Sequence, residues 1–157
     1  MEGQNRSDVK CGGKLFGVLF YHILETFDGV AEIAADCNDV SASVGVHPNT
    51  DEGITEPTVQ DLVQLAARES IVAIGETGLD YFRSQGDLEW QRARFRTHIR
   101  AAREADRPLV IHCREAPADV LRILREERAT EAGGVMHCFV DDWDTARAAL
   151  DLGFYIS

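Results

Sequence analysis

Short apolar runs alternate with longer amphipathic stretches along this chain from residue 41 onward. The runs occupy positions 43–46, 71–74, 109–111, 135–136 and 154–156 and show no in/out alternation. Continuous apolar runs are typical of strands that are buried on both faces of a parallel sheet. The pattern therefore predicts five parallel strands in this part of the chain.

The stretches between the runs have helical spacing. After Pro57, apolar residues recur at i, i+3, i+4 and i+7 from Val59 onward, and similar faces lie in 88–106, after Pro117 and in 146–150. A strand followed by a helix, repeated at least four times, predicts an α/β fold whose parallel strands are joined by right-handed crossovers.

The first 40 residues have a weaker pattern. The apolar segment 15–21 fits a strand and the segment 27–36 fits a helix, whereas 1–14 is polar and looks unstructured. No linker or second domain stands out. The chain has 157 residues and 45% hydrophobic content, which suffice for one domain with a sizeable core.

The charge balance narrows the class of function. The formal net charge is −11 and the isoelectric point is near 4.8. A passive nucleic-acid binder is usually basic, because phosphate neutralisation supplies its affinity. An acidic nuclease can still work where bound divalent cations and a few arginines attract the phosphate locally. The charge therefore argues against a passive binder and only weakly against a nuclease.

The sequence also favours a cytoplasmic location. No apolar run reaches the roughly 18 residues of a membrane span. The apolar segment 15–21 is short and has no small-residue cleavage signal after it. The four cysteines form no CxxC pair, so we expect all four to be reduced.

Polar, metal-competent side chains follow four of the predicted strands at the points where they end. These residues are His47, Glu76, His112 and His137. The carboxyl ends of parallel strands line one edge of a sheet, so four such residues should converge there. The intervals from Glu76 to His112 and from His112 to His137 each fit one barrel unit of about 31 residues.

A carboxylate and two histidines suit borderline divalent metals such as zinc or manganese. A single histidine at a strand end is more often an ordinary core or loop residue, but two on adjacent strands with Glu76 on a third favour a metal site. Burying Glu76 without a cation would be costly, and Arg114 is the nearby alternative to a metal. We expect His98, which lies in a predicted helix, to be an ordinary core or loop histidine. We expect Trp90 and Trp143 to be packing residues on helices.

Four ordered motifs resemble the TatD family of metal-dependent hydrolases. They are the segments 45–48 (GVHP), 74–81 (IGETGLDY), 111–116 (IHCREA) and 137–139 (HCF). The ending 152–157 (LGFYIS) is similar to the seventh strand of that family, and the resemblance weakens toward residue 24. It divides the chain into an atypical N-terminal segment, 1–23, and a partial (β/α) barrel domain, 24–157.

The resemblance implies a TIM-barrel-like α/β fold and a 3'-5' exonuclease-type deoxyribonuclease. Two divalent ions (Mg, Mn or Zn) would serve hydrolysis of phosphodiester bonds in DNA or nucleotides. Glu76 would bridge the metals, and His112 and His137 would ligate one of them. His47 would line the site and touch substrate or a ligand water. Arg114 and Tyr81, both on weaker grounds, would contact phosphate.

The chain also departs from the family pattern. It has no His-x-His pair, which opens the family's first strand, and it ends before the late aspartate of the eighth strand. At about 31 residues a unit, its 157 residues hold roughly five units rather than eight. We therefore expect an incomplete barrel, about strands 3–7 of 8, from a truncated or frame-disrupted gene, with fewer metal ions than the family.

Three functions remain open from the sequence. The first is the metal-dependent nuclease. The second is an inactive remnant that keeps only part of the metal site. The third is a related hydrolase that cleaves another ester, because barrel loops set substrate choice. Exposed strand edges would also favour self-association.

Overall fold

Six parallel strands form one sheet in the computed structural model, which describes residues 17–19, 27–37, 40–50 and 54–157. Each strand pairs in parallel with the next one along the chain. The strands are β1 (Gly17–Leu19), β2 (Val40–Val44), β3 (Ile71–Asp80), β4 (Leu109–Arg114), β5 (Gly134–Met136) and β6 (Tyr155–Ile156).

A helix connects each pair of neighbouring strands. The helices are α1 (Phe27–Asp36), α2 (Val59–Ala66), α3 (Glu89–Ala105), α4 (Pro117–Glu126) and α5 (Trp143–Asp151), and a short 3₁₀ turn (Ala129–Glu131) follows α4. This order confirms the predicted α/β fold with parallel strands. The helix expected at 27–36 coincides with α1.

The described sheet contains one strand more than the five that the apolar runs predict after residue 41. The additional strand, β1, lies within the segment 15–21, where a strand was one interpretation. The rest of the segment 1–23 lies outside the described residues. The division at residue 24 therefore stays a prediction.

Side-chain hydrogen bonds fix where several helices begin. At the start of α2, Thr58 and Asp61 form a reciprocal capping box, in which each side chain accepts from the other residue's backbone N–H. Pro117 occupies the first turn of α4, where its missing N–H costs nothing. Asp142 accepts from the backbone N–H of Thr145 and begins α5.

The core lies on both sides of the sheet, as the continuous apolar runs predict. In β3 every residue except Val72 is buried. Among the described residues, the largest fully buried side chains come from strands β3 to β5, from the helices that cover them and from the residue directly before β6: Phe95, Phe154, Leu62, Ile71, Ile74, Leu79, Ile99, Leu109, Ile111, Ile123, Leu124 and Met136.

Strands β3 and β4 approach each other unusually closely beside the strand ends. Gly78 has φ +136°, and a Cβ added to it would lie 2.0 Å from the backbone oxygen of His112. Only glycine fits such a position without moving the neighbouring strand. The register between the strands also shifts between Gly75 and Thr77, so Glu76 lies where the ladder is irregular.

Candidate metal centre

Three potential metal ligands converge at the carboxyl edge of the sheet. His47 follows β2, Glu76 lies in β3 and His112 lies in β4, and one ligand atom from each falls within 4.8 Å of the others. His47 and Glu76 are only 8% and 9% exposed. The convergence of strand ends that the sequence predicts is therefore present for these three residues.

His112 lies between two carboxylates. Its Nδ1 is 3.1 Å from Oε1 of Glu76, and its Nε2 is 3.0 Å from Oδ2 of Asp80. A neutral imidazole carries one proton and can donate to only one of them. The other contact needs a cation, either a second proton or a metal ion. Two ligands about 2.1 Å from one ion lie about 3 Å apart, so Glu76 and His112 fit a divalent metal.

The electrostatics of the cluster agree with a cation-binding site. Burial opposes ionisation of Glu76, but the hydrogen bond with His112 and the charges of His47, His112 and His137 hold its pKa below the usual range. Burial also opposes protonation of His112, but the carboxylates of Glu76 and Asp80 outweigh it and raise the pKa of that ring. The cluster therefore keeps a buried carboxylate ionised.

His47 is oriented as a hydrogen-bond donor toward the centre of the cluster. The backbone N–H of Asn49 donates to its Nδ1 over 3.1 Å, so a neutral ring carries its proton on Nε2. That Nε2 is 3.3 Å from Nδ1 of His112 and 3.9 Å from Oε1 of Glu76. This geometry fits the predicted contact with substrate or a ligand water better than direct ligation.

One buried polar face of α3 holds the loop that carries His47. Gln91 donates to the carbonyl oxygen of Pro48, Arg94 donates to the carbonyl oxygens of His47 and Thr50, and His98 accepts from the N–H of Val46. All three side chains are at most 3% exposed. The i, i+3, i+7 spacing of these three residues is visible in the sequence. Only His98 was interpreted from the sequence, as an ordinary core or loop histidine, and its burial in the structure confirms this interpretation.

His137 lies immediately after β5, outside the cluster of three. Its backbone N–H donates to the carbonyl oxygen of Ile111, and its Nε2 is 3.3 Å from Sγ of Cys138. It is close enough for its charge to lower the pKa of Glu76. Its role as a ligand stays a prediction.

Arg114 does not serve as the cation for Glu76. Its guanidinium lies over the ring of Phe82, 3.9 Å from the centroid, and Phe82 is 55% exposed. A planar guanidinium stacks readily on an aromatic face. Arg114 is therefore not the cation that accompanies Glu76, and together with Phe82 it forms a rim platform near the end of β4.

Tyr81 has its hydroxyl committed elsewhere. It donates to Oδ2 of Asp119 and accepts from Arg92. Burial and the Asp119 carboxylate raise its pKa. The weaker expectation that Tyr81 contacts phosphate gains no support, because the neighbouring helices already satisfy the hydroxyl.

Two expectations about other side chains are wrong. Cys113 and Cys138 are free thiols, but Cys37 is disulfide-bonded, so the cysteines are not all reduced. Trp143 is 71% exposed and is not a packing residue.

None of the helices in the described segments has the length and apolar character of a membrane span. The cytoplasmic location stays a prediction.

Comparison with protein families identifies relatives along nearly the whole chain. The family described as TatD related DNase matches residues 8–157. The uncharacterized metal-dependent hydrolase YcfH of Escherichia coli (strain K12) is 46% identical over 126 residues, which are 80% of this chain and 47% of YcfH. The 3'-5' ssDNA/RNA exonuclease TatD of Edwardsiella piscicida is 36% identical over 115 residues, which are 73% of this chain and 44% of that protein.

The fold agrees with these relationships. The crystal structure of YJJV, a TatD homolog from Escherichia coli K12, superimposes with a TM-score of 0.79 at 26% identity and covers 88% of this chain. The alignment covers 54% of YJJV, and this chain spans about half the length of the relatives it matches. The six-stranded sheet is therefore part of a TIM-barrel-like fold.

Proposed function

This chain belongs to the TatD family of metal-dependent hydrolases, and we propose that it hydrolyses phosphodiester bonds of DNA as a 3'-5' exonuclease. The observation that carries the proposal is the convergence of His47, Glu76 and His112 at the carboxyl ends of three adjacent strands. The name of the Edwardsiella piscicida relative supports the choice of substrate.

Each residue of the cluster has a distinct part in the proposed reaction. Oε1 of Glu76 and Nδ1 of His112 would hold a divalent ion, with His137 as a further ligand. A bound divalent metal lowers the pKa of its water and neutralises charge on the attacked phosphate. His47, with its proton on Nε2, would donate to a phosphate oxygen or orient the attacking water.

The rim platform of Phe82 and Arg114 would receive the neighbouring nucleotide. A base can stack on an exposed aromatic ring, and a guanidinium binds phosphate in a bidentate manner. The chain carries a net charge of −11, so DNA must be attracted locally rather than by the whole surface. We therefore expect DNA affinity to depend on bound metal and on Arg114.

The experiment is a metal titration with a 5'-labelled single-stranded DNA substrate. We expect shortening from the 3' end with Mg²⁺, Mn²⁺ or Zn²⁺, abolished by EDTA and by Glu76→Gln. Glu104→Gln, which removes an exposed carboxylate on α3, is the matched control and should cleave like the parent chain.

Two outcomes would replace the proposal by one of its alternatives. Metal binding without hydrolysis of any phosphoester would indicate the inactive remnant. Hydrolysis of bis(p-nitrophenyl) phosphate or another small ester without cleavage of DNA would indicate the related ester hydrolase. Equal cleavage by the parent chain and by Glu76→Gln would point to a contaminating nuclease.

A further inference from the structure

A buried carboxylate backs His112 on the side away from Glu76. Asp80 is 0% exposed, and its Oδ2 is 3.0 Å from Nε2 of His112. The same oxygen accepts from the side-chain amide of Asn49, and Oδ1 accepts from the backbone N–H of Arg83. With its oxygens occupied by these contacts, Asp80 is poorly placed to bind a metal itself.

The proton positions in this network follow from one backbone donor. The N–H of Asn49 always donates, so Nδ1 of His47 accepts and the His47 proton lies on Nε2. That nitrogen lies 3.3 Å from Nδ1 of His112, and two protonated nitrogens would repel each other at this distance, so the geometry favours an unprotonated Nδ1 on His112. A neutral His112 therefore carries its own proton on Nε2, where the carboxylate of Asp80 accepts it.

This arrangement leaves the Nδ1 lone pair of His112 beside Oε1 of Glu76. Two acceptor atoms 3.1 Å apart repel each other unless a cation lies between them. Carboxylate partners of this kind fix the tautomer and ring orientation of metal-ligating histidines. We propose that Asp80 is a positioning residue that holds His112 in its Nε2–H tautomer and so presents Nδ1, together with Glu76, to a divalent metal. The proposal rests only on the metal-binding part of the proposed function.

The surroundings of Asp80 make the amide substitution informative. Among the residues that the structure describes, the two partners other than His112 that reach the side chain, Asn49 and Arg83, are donors. In Asp80→Asn, one carboxylate oxygen is replaced by an NH₂ group. In the first orientation this group takes the place of Oδ1 and faces the backbone N–H of Arg83, and in the second it takes the place of Oδ2 and faces Nε2 of His112. In the second orientation the His112 proton moves to Nδ1 and blocks the ligand atom. We expect Mn²⁺ to bind about 10- to 100-fold more weakly, the usual loss when such a partner is removed.

Asp119→Asn is the matched control. Asp119 also accepts several side-chain hydrogen bonds, including those from Tyr81 and Arg122, but it lies on α4 outside the cluster. The substitution makes the same change of charge and shape. We expect its Mn²⁺ affinity to stay within about twofold of the parent chain, and far-UV circular dichroism would verify that both variants fold.

The experiment combines calorimetric titration of the metal-free 157-residue chain with Mn²⁺ and ¹⁵N NMR of the histidine rings in its Zn²⁺-loaded form. The His112 signals are assigned by their loss in His112→Gln. We expect a metal-coordinated Nδ1 and a protonated Nε2 in the parent chain, together with the weakened affinity of Asp80→Asn.

The proposal would be overturned by a protonated Nδ1 on His112 of the Zn²⁺-loaded parent, by unchanged affinity in Asp80→Asn, or by a parent chain that binds no metal. If Asp80→Asn fails to fold, the NMR of the parent chain decides alone. A chain with the expected tautomer that cleaves no DNA contradicts the proposed nuclease activity and leaves the role of Asp80 intact.

Discussion

Two parts of the sheet edge that carries His47, Glu76 and His112 differ in how their side chains are packed: the part at β2 to β4 and the part at β5 and β6. Around β2, β3 and β4, buried side chains of α3 hold the loop that carries His47, and Asp80 holds His112. Around β5 and β6 the strands span three and two residues, and Val140, Trp143 and Tyr155 are 71% to 79% exposed. We call the first part the supported region and the second the open region. We therefore expect metal affinity to reside mainly in the supported region.

The strongest test of the contrast compares the two predicted histidine ligands. His112→Gln should weaken Mn²⁺ binding about 100-fold or more, because it removes a ligand whose ring is fixed between two carboxylates. His137→Gln should weaken it only about 10-fold, because His137 lies outside the tight cluster. Calorimetric titration of both variants measures the difference. Equal losses would show that metal binding recruits the open region fully.

A second test compares glycines with positive φ in the two regions. A Cβ on Gly78 would lie 2.0 Å from the His112 backbone oxygen, whereas one on Gly153, at φ +80°, meets nothing within 4 Å. Gly78→Ala should therefore cost about 3 kcal/mol or more, from a clash added to backbone strain. Gly153→Ala should cost about 1 kcal/mol from strain alone. Urea unfolding of both variants measures these costs, and similar values would contradict the close β3–β4 approach.

The sequence was informative about the strands and about which residues end them. Buried parallel strands are continuous apolar runs, and their periodicity is local, so β2 to β6 and the residues His47, Glu76 and His112 could be predicted. The supporting residues could not. Gln91, Arg94 and His98 are polar residues on a helix, and nothing local distinguishes them from a solvated face. Their burial is decided by packing against a loop more than 40 residues away in sequence.

Arg114 illustrates the same limit. Its position two residues after His112 made it a reasonable partner for Glu76, but the exposed ring of Phe82 attracts the guanidinium instead. Phe82 follows the motif that carries Asp80, and the sequence assigned a role to neither residue. The contact of Arg114 with Phe82 and the contact of His112 with Asp80 each join the end of β4 to the end of β3. Both contacts therefore depend on the register between these two strands.

The third test uses pH to probe the support under His47. Complete burial lowers the pKa of His98 to about 4, while an unfolded histidine titrates near 6.5. The unfolded state therefore binds a proton that the folded state does not, and stability falls as the pH falls from about 6.5 to 4. The shift corresponds to about 3 kcal/mol once the pH is below both values.

The matched variant is His98→Gln, whose side-chain oxygen can still accept from the N–H of Val46. The difference in unfolding free energy between parent and variant isolates His98 from the other histidines. We expect this difference to shrink as the pH falls through the window from 6.5 to 5. A difference that is independent of pH would contradict a neutral, buried His98.

The smallest expected effect concerns the two tryptophans. Trp90 on α3 is partly buried, and the guanidinium of Arg94 lies 4.8 Å from its ring centroid, so Trp90→Ala should cost about 1 to 2 kcal/mol. Trp143 on α5 is 71% exposed, so Trp143→Ala should change stability by less than about 0.5 kcal/mol. Urea unfolding at several protein concentrations tests both values. A large, concentration-dependent loss in Trp143→Ala would instead show that this part of the open region is covered by self-association.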